Sequence, residues 1–292
     1  MKILVAGLGL IGGSICKAIH AYTDHAVYGW NRTKSVAEKA LAEHAVDGIA
    51  GEDCSGFDMI ITSLYPDLTR KWVKKHISTI QKNAIVLDVT GVKTDLPEEM
   101  TQLCAQYGVH YLSTHPMAGK ERAGFDVSDE NLFQGANFIM TPLEETPKSI
   151  IAQVQNFAHQ IGFRKFVITT PEMHDRMIAY TSQLAHVVSS SYVQSPEIQF
   201  ESGFSGGSFQ DMTRIATMNE DMWTELFMEN REGLLHELNI LIGHLQEYQK
   251  ALSENDRDAV YVLIRDGRLR KEQNLRNRRH SPTVIDLTKK EK

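Results

Sequence analysis

Six residues near the start, Gly7-Leu8-Gly9-Leu10-Ile11-Gly12, constrain the fold more than any other stretch. They follow a short apolar run, Lys2–Ala6, and open a segment, Gly12–His20, of helical character. A strand that passes through G-x-G-x-x-G straight into a helix begins a βαβ unit. Gly7 allows the tight turn, Gly9 lets a phosphate approach the backbone, and Gly12 lets helix and strand pack closely. The free N–H groups and positive end of the helix then face an anion. The loop therefore predicts a dinucleotide site contributed by Gly7, Leu8, Gly9, Leu10, Ile11 and Gly12.

The alternation continues for about 165 residues. Ala26–Trp30, Asp58–Ser63, Ala84–Val89, Val109–Thr114, Ala136–Thr141 and Phe166–Thr169 read as strands, with helical sequence such as Lys34–Glu43 between them. Strands alternating with helices imply a mostly parallel sheet. Such a sheet is covered on both faces, so its strands are apolar throughout. After about Pro171 the strands stop and three helical stretches follow: Pro171–Gln194, Gly207–Met218 and Asp221–Leu252. In the last, Trp223, Leu226, Phe227, Leu234, Leu238, Leu241, Leu245 and Tyr248 recur at helical spacing, and Leu235 and Ile242 widen the stripe. A face that broad predicts packing against a second copy, a homodimer through the C-terminal helices. The expected fold is α/β. A Rossmann-like dinucleotide-binding domain spans 1–168, an all-helical substrate and dimerisation domain 169–280, and a disordered tail 281–292.

Composition narrows the function. The 292 residues suit two domains. With 31 Lys and Arg against 37 Asp and Glu, the net charge is −6, which argues against a nucleic-acid or anionic-membrane partner. The cluster from Arg265 to Arg279 reads as a solvated helix face. The run Ile3–Ile15 is glycine-broken and shorter than the ~20 residues of a membrane span, so neither a signal peptide nor a span is expected. Cys16, Cys54 and Cys104 are odd in number, with no Cys-x-x-Cys spacing. They predict no disulfide framework, no metal and a cytoplasmic location.

The end of the second strand bears on the choice of dinucleotide. An acidic residue there would favour NAD. The sequence reads Asn31-Arg32-Thr33 instead, a guanidinium beside a hydroxyl. That pair suits a phosphate, so the lean is to NADP. Asn31 can still bind a ribose hydroxyl and Arg32 can stack on adenine, which leaves NAD open. Ser63 and Leu64, at the carboxyl end of the Asp58–Ser63 strand, join the cofactor set by position.

Ligands of such sheets bind beyond the carboxyl ends of the strands. Of twelve histidines, His115 stands there, in Ser113-Thr114-His115-Pro116-Met117-Ala118-Gly119-Lys120-Glu121, beside what reads as a rigid His-Pro turn. Hydride transfer from an alcohol needs a base for the hydroxyl proton, and histidine has a suitable pKa. A hydrogen-bonded turn histidine is the competing reading. Further on, His186 sits in an otherwise apolar helix, where a satisfied core histidine is the ordinary reading. Gly206–Ala216 is a glycine turn entering a helix, with Asp211 and Arg214 on one face, where a surface ion pair is the ordinary reading.

At these residues the chain resembles the prephenate/arogenate dehydrogenases of tyrosine biosynthesis, over roughly residues 1–275. HPMAGKE at 115–121, EMHD at 172–175, SQLAH at 182–186 and GGSFQDMTRIA at 206–216 carry the resemblance, in the family's order. It implies NAD(P)-dependent oxidative decarboxylation of a cyclohexadienol. His115 would hydrogen-bond the ring hydroxyl as the catalytic base, Arg214 would bind a substrate carboxylate, His186 would lie by the side chain, and Trp223 would form a pocket wall. The loop Asp88-Val89-Thr90-Gly91-Val92-Lys93 has glycine where many members have serine, so Thr90, or else a water, is a candidate to take over that hydrogen bond. A cationic surround from Lys120 would favour prephenate. A carboxylate such as Glu121 or Asp211 would favour arogenate. The lean is to prephenate. A small hydroxyacid dehydrogenase of the 3-hydroxyacid type is disfavoured because its G-x-x-x-K-N pattern does not occur. A non-catalytic dinucleotide-binding regulator would be expected to lack His115 or Arg214. No fused regulatory module is visible, so any tyrosine feedback is expected to act in the side-chain pocket.

Overall fold

A computed structural model describes residues 1–120, 122–279 and 281–288. The chain begins β1 (Lys2–Ala6), α1 (Leu10–Tyr22), β2 (Ala26–Trp30), α2 (Lys34–Ala42) and β3 (Gly48–Ile49). It continues β4 (Met59–Thr62), α3 (Pro66–His76), β5 (Ile85–Asp88), α4 (Leu96–Gln106), β6 (His110–Met117), β7 (Asn137–Thr141), α5 (Lys148–Gln160) and β8 (Lys165–Ile168). Successive residues of β1 serve different cores. Ile3 and Val5 pack with α1, α2 and α5, whereas Leu4 and Ala6 pack with α3 and α4. Each strand residue points to the opposite face from its neighbour, so burial of both faces requires the unbroken apolar run seen in the sequence.

The sheet runs in the order β3-β2-β1-β4-β5-β6-β7-β8-β9. The direction of winding reverses at β1, with β2 on one side and β4 on the other, so a crevice opens beyond their carboxyl ends. One pairing departs from the parallel rule: β6 and β7 are antiparallel. The strand expected to stop at Thr114 continues to Met117, so His115 and Pro116 lie in extended strand rather than in a turn. Pairing with β5 ends at Ser113. Beyond it β6 has a neighbour on one side only, where proline is tolerated.

The helical half comprises α6 (Pro171–Ile178), α7 (Leu184–Tyr192), α8 (Gly207–Thr213), α9 (Glu220–Glu229), α10 (Arg231–Ser253) and α11 (Arg257–Arg279). A π-helical segment, Ala179–Gln183, joins α6 to α7 in one continuous run. The stretch expected as a single helix from Asp221 to Leu252 breaks at Asn230. That residue is buried, and its amide donates to Asp175 O and to Gln183 Oε1, both at 2.8 Å. The basic cluster lies on α11, which has no buried residue.

The tail differs from expectation. Within 281–288, Val284–Asp286 forms β9, parallel to β8. Phe166 N donates to Thr283 O at 2.9 Å and Leu287 N to Ile168 O at 2.8 Å. The open edge of β8 offers unpaired backbone groups, and Val284 and Ile285 are good strand formers. His280 and residues 289–292 lie outside the described residues. No helix among the described residues is long and apolar enough to cross a membrane.

Candidate active site

The glycine loop lies at the reversal of the sheet. Gly7 has φ +98°, a conformation that favours glycine, and its N–H donates to Trp30 O at 2.8 Å. A Cβ at Gly7 would stand 2.3 Å from Ser63 O, and one at Gly12 would stand 1.8 Å from Gly7 O. A Cβ at Gly9 would meet nothing within 4 Å, so that glycine faces open space. No side chain caps the first turn of α1. A tight loop, an open middle glycine and an uncapped helix start fit a pyrophosphate. Leu8 is buried, and its N–H donates to Asn31 Oδ1 at 3.0 Å, which ties the loop to the end of β2. Asn31 Nδ2 donates to Thr33 O at 3.1 Å. Leu10 and Ile11 are partly buried, and Arg32 and Thr33 are exposed. Ser63 and Leu64 close the loop's other side, within contact of where a Gly7 side chain would be.

His115 projects from β6 and is partly buried. Its Nδ1 lies 2.9 Å from Nε2 of His174, and Nδ1 of His174 lies 2.6 Å from Asp175 Oδ1. The Asp175 carboxylate also accepts the N–H of Lys93, at 2.9 and 3.1 Å to its two oxygens, and that of Thr94 at 2.7 Å. His174 is 2% exposed and Asp175 8%. Burial pushes the pKa of His115 well below its ordinary 6.5, and His174 and Lys93 push the same way. Burial also lowers that of His174, against an upward pull from Asp175.

Lys93 is wholly buried. Its ammonium donates to Asp88 Oδ1 at 2.9 Å, Thr90 O at 3.1 Å, Thr90 Oγ1 at 3.3 Å and Thr114 O at 2.7 Å. Tyr111 OH donates to the other Asp88 oxygen at 2.6 Å. Burial favours a protonated Asp88, but the Lys93 ammonium and the Thr90 and Tyr111 hydroxyls hold its carboxyl below the usual range. Burial lowers the pKa of Lys93. This cluster pins the residue before His115, through Thr114 O, to the loop after β5. It also redirects Thr90. The Thr90 hydroxyl lies 2.5 Å from Asp88 Oδ1 and 2.9 Å from Val92 O, and Thr90 is 3% exposed. Its one hydrogen is directed to these oxygens inside the protein, and the oxygen accepts from Lys93 Nζ at 3.3 Å.

A second group forms on the helical side. His186 on α7 donates from Nδ1 to Ser182 O at 2.9 Å, and its ring lies on Trp223 with centroids 3.7 Å apart. Burial lowers the pKa of His186, and the nearby Arg214 guanidinium adds to the effect. Arg214 begins the short turn Arg214–Ala216, which packs against α7. His186, Trp223 and Arg214 are thus brought together. Of the three, His186 lies on the same helical run as His174, about 18 Å of helix further on.

Lys120 is drawn elsewhere: its ammonium bonds Asp129 Oδ2 and Val127 O, each at 3.1 Å. Glu121 lies outside the described residues. Among the described residues no group of three or more His, Cys, Asp or Glu is arranged to hold a metal. His174, Asp175 and Lys93 were not assigned from the sequence. EMHD at 172–175 was the one available signal for the first two.

The family model for the prephenate dehydrogenase nucleotide-binding domain matches residues 15–167, and that for the prephenate dehydrogenase dimerization domain matches 170–266. The prephenate dehydrogenase of Lactococcus lactis subsp. cremoris is 27% identical over 277 residues, 91% of this chain and 75% of its own. The solved arogenate dehydrogenase of Synechocystis is 27% identical with a TM-score of 0.79, over 94% of this chain and 100% of the other. The prephenate dehydrogenase of A. aeolicus, solved with hydroxyphenyl propionate and NAD+, is 25% identical with a TM-score of 0.83, over 93% and 98%.

Proposed function

This chain belongs to the prephenate dehydrogenase family of oxidoreductases, and from that premise we propose that it converts prephenate to 4-hydroxyphenylpyruvate, with His115 as the catalytic base. The observation that carries the reading is the orientation of His115: its Nδ1 edge is taken by His174, which leaves Nε2 as the ring's remaining polar atom.

The nicotinamide cofactor, held by the Gly7–Gly12 loop with Asn31, Arg32, Thr33, Ser63 and Leu64 around it, supplies the hydride acceptor when bound. His115 Nε2 takes the proton of the ring hydroxyl as hydride leaves the carbon that bears it. The bond to the ring carboxylate breaks, CO2 departs, and its electron pair completes the aromatic ring. His115 then returns the proton to the phenolate oxygen, so no proton is left over. Arg214 pairs with a substrate carboxylate, and His186 with Trp223 forms the wall beside the side chain. Aromatisation drives the reaction, so the residues need only bind, orient and move one proton.

NADP is the proposed dinucleotide. The support is Arg32, exposed beside Thr33 at the end of β2, with no carboxylate at that position. Prephenate is preferred because the pocket group is cationic, through Arg214 beside His186. One observation favours arogenate as a second reading: Lys120 is paired with Asp129 and so contributes less positive charge than its sequence position implies. We place the enzyme in the reducing cytoplasm as a homodimer through α10 and α11. Its three free cysteines, all buried, support the first, and the exposed apolar residues of those helices support the second.

Replacing His115 tests the assignment. His115→Asn is expected to lower kcat about 10²–10⁴-fold, with substrate binding nearly intact. Arg214→Ala is expected to act mainly on KM, at a cost of about 2–5 kcal/mol. Near-normal turnover by His115→Asn would overturn the assignment of the base.

A further inference from the structure

We propose that His174 and Asp175 are positioning residues that hold His115 in the one neutral tautomer able to act as a base. This deepens the reading above and rests on it.

The hydrogens can be assigned from one end of the chain of contacts. The Asp175 carboxylate accepts the backbone N–H groups of Lys93 and Thr94. A carboxylate so placed also accepts from its third neighbour. Its partner at 2.6 Å, Nδ1 of His174, therefore carries a hydrogen. In a neutral ring the other nitrogen is then an acceptor. Nε2 of His174 faces Nδ1 of His115 at 2.9 Å, so Nδ1 of His115 is the donor. The hydrogen of the His115 ring is accounted for, and Nε2 is left with a free lone pair. The opposite tautomer would set a lone pair of His174 against the carboxylate.

The groups that face this pair come from every side. His174 and Asp175 lie on α6 and His115 on β6. The Lys93 ammonium approaches from the loop after β5, with Asp88 behind it. Both rings are buried enough that protonation is disfavoured, and Lys93 disfavours it further. The pair thus rests neutral and ordered. When His115 takes a proton at Nε2, its Nδ1–H stays on His174, and the Asp175 charge is felt through the second ring. The orienting pair is fixed from the helical side as well, because Asn230 Nδ2 holds Asp175 O at 2.8 Å.

The experiment combines turnover with the tautomer itself. In protein labelled with 15N-histidine, long-range 1H–15N spectra report which ring nitrogen bears hydrogen, and His115→Asn identifies the His115 signals. The unsubstituted enzyme is expected to show Nδ1–H at both His115 and His174. In Asp175→Asn the side-chain amide donates towards His174, both rings invert, and kcat falls about 10²–10⁴-fold at every pH with KM within about twofold. His174→Leu is expected to lose a similar factor. His174→Gln, whose carbonyl can accept from His115 and whose amide can donate to Asp175, is expected to stay within about tenfold of the parent. This rescue separates a positioning role from a structural one, and it does not depend on Asp175→Asn folding. Hydrogen on Nε2 of His115 in the parent enzyme would overturn the proposal, as would turnover by His174→Leu equal to the parent's. An inactive parent would instead sink the functional reading, while the spectrum would still decide the tautomer.

Discussion

At His115, burial, the neighbouring His174 ring and the Lys93 ammonium all disfavour the protonated imidazole. The consequence for activity has a definite sign. The proposed base works only when neutral, and a lowered pKa keeps it neutral further into acid. The kcat/KM profile, which reports the free enzyme, is expected to hold through pH 6.5 and to fall only below it. An acid limb centred at or above 6.5 would contradict this. The residues that set the state of His115 were the hardest to read from the sequence. His115, His186, Arg214 and Trp223 stand in motifs. Lys93 follows a strand with nothing to mark it, and its contact with Asp175 spans 82 positions. Thr90 shows the converse: a hydroxyl in the right loop, spent on Asp88 by a fold the local sequence does not reveal.

At the scale of elements, legibility followed length and symmetry of burial. β1, β4 and β5 were plain because both faces are covered and nearly every residue is apolar, the exceptions Lys2, Thr62 and Asp88 standing at strand ends. β3 and β9, with two and three residues, carry no periodicity to detect. The reversal of β7 left no trace, since an apolar strand reads alike in either direction. The apolar stripe of α10 was legible, and the structure leaves part of it uncovered. Leu235, Ile242, Leu245 and Leu252 share one side of the helix, with Leu245 57% and Leu252 67% exposed in the single chain. Burying such a leucine contributes about 1.5–3 kcal/mol per copy. Leu245→Glu is therefore expected to weaken a homodimer by at least about 100-fold in Kd. Sedimentation equilibrium checks this, and a variant with unchanged dimer mass would place the interface elsewhere.

Across the whole molecule, the two halves meet at His115, the proposed base. The sheet supplies His115, and the first helix beyond it supplies His174 and Asp175. The loop after β5 binds that helix through Lys93 N and Thr94 N, and Thr94 Oγ1 reaches Glu229 O at 3.2 Å. β9 then returns the chain from the helical half to the edge of the sheet. The division into a dinucleotide half and a helical half was legible in the change of pattern near Pro171, but the seam between them was not, because its bonds join distant residues. The central claim is that this seam oxidises and decarboxylates a cyclohexadienol. The most direct test follows the absorbance of reduced nicotinamide, with CO2 release, when purified protein meets prephenate or arogenate crossed with NADP or NAD. Reduction matched by CO2, fastest with prephenate and NADP, is the predicted result; no reduction in any of the four combinations would contradict the account.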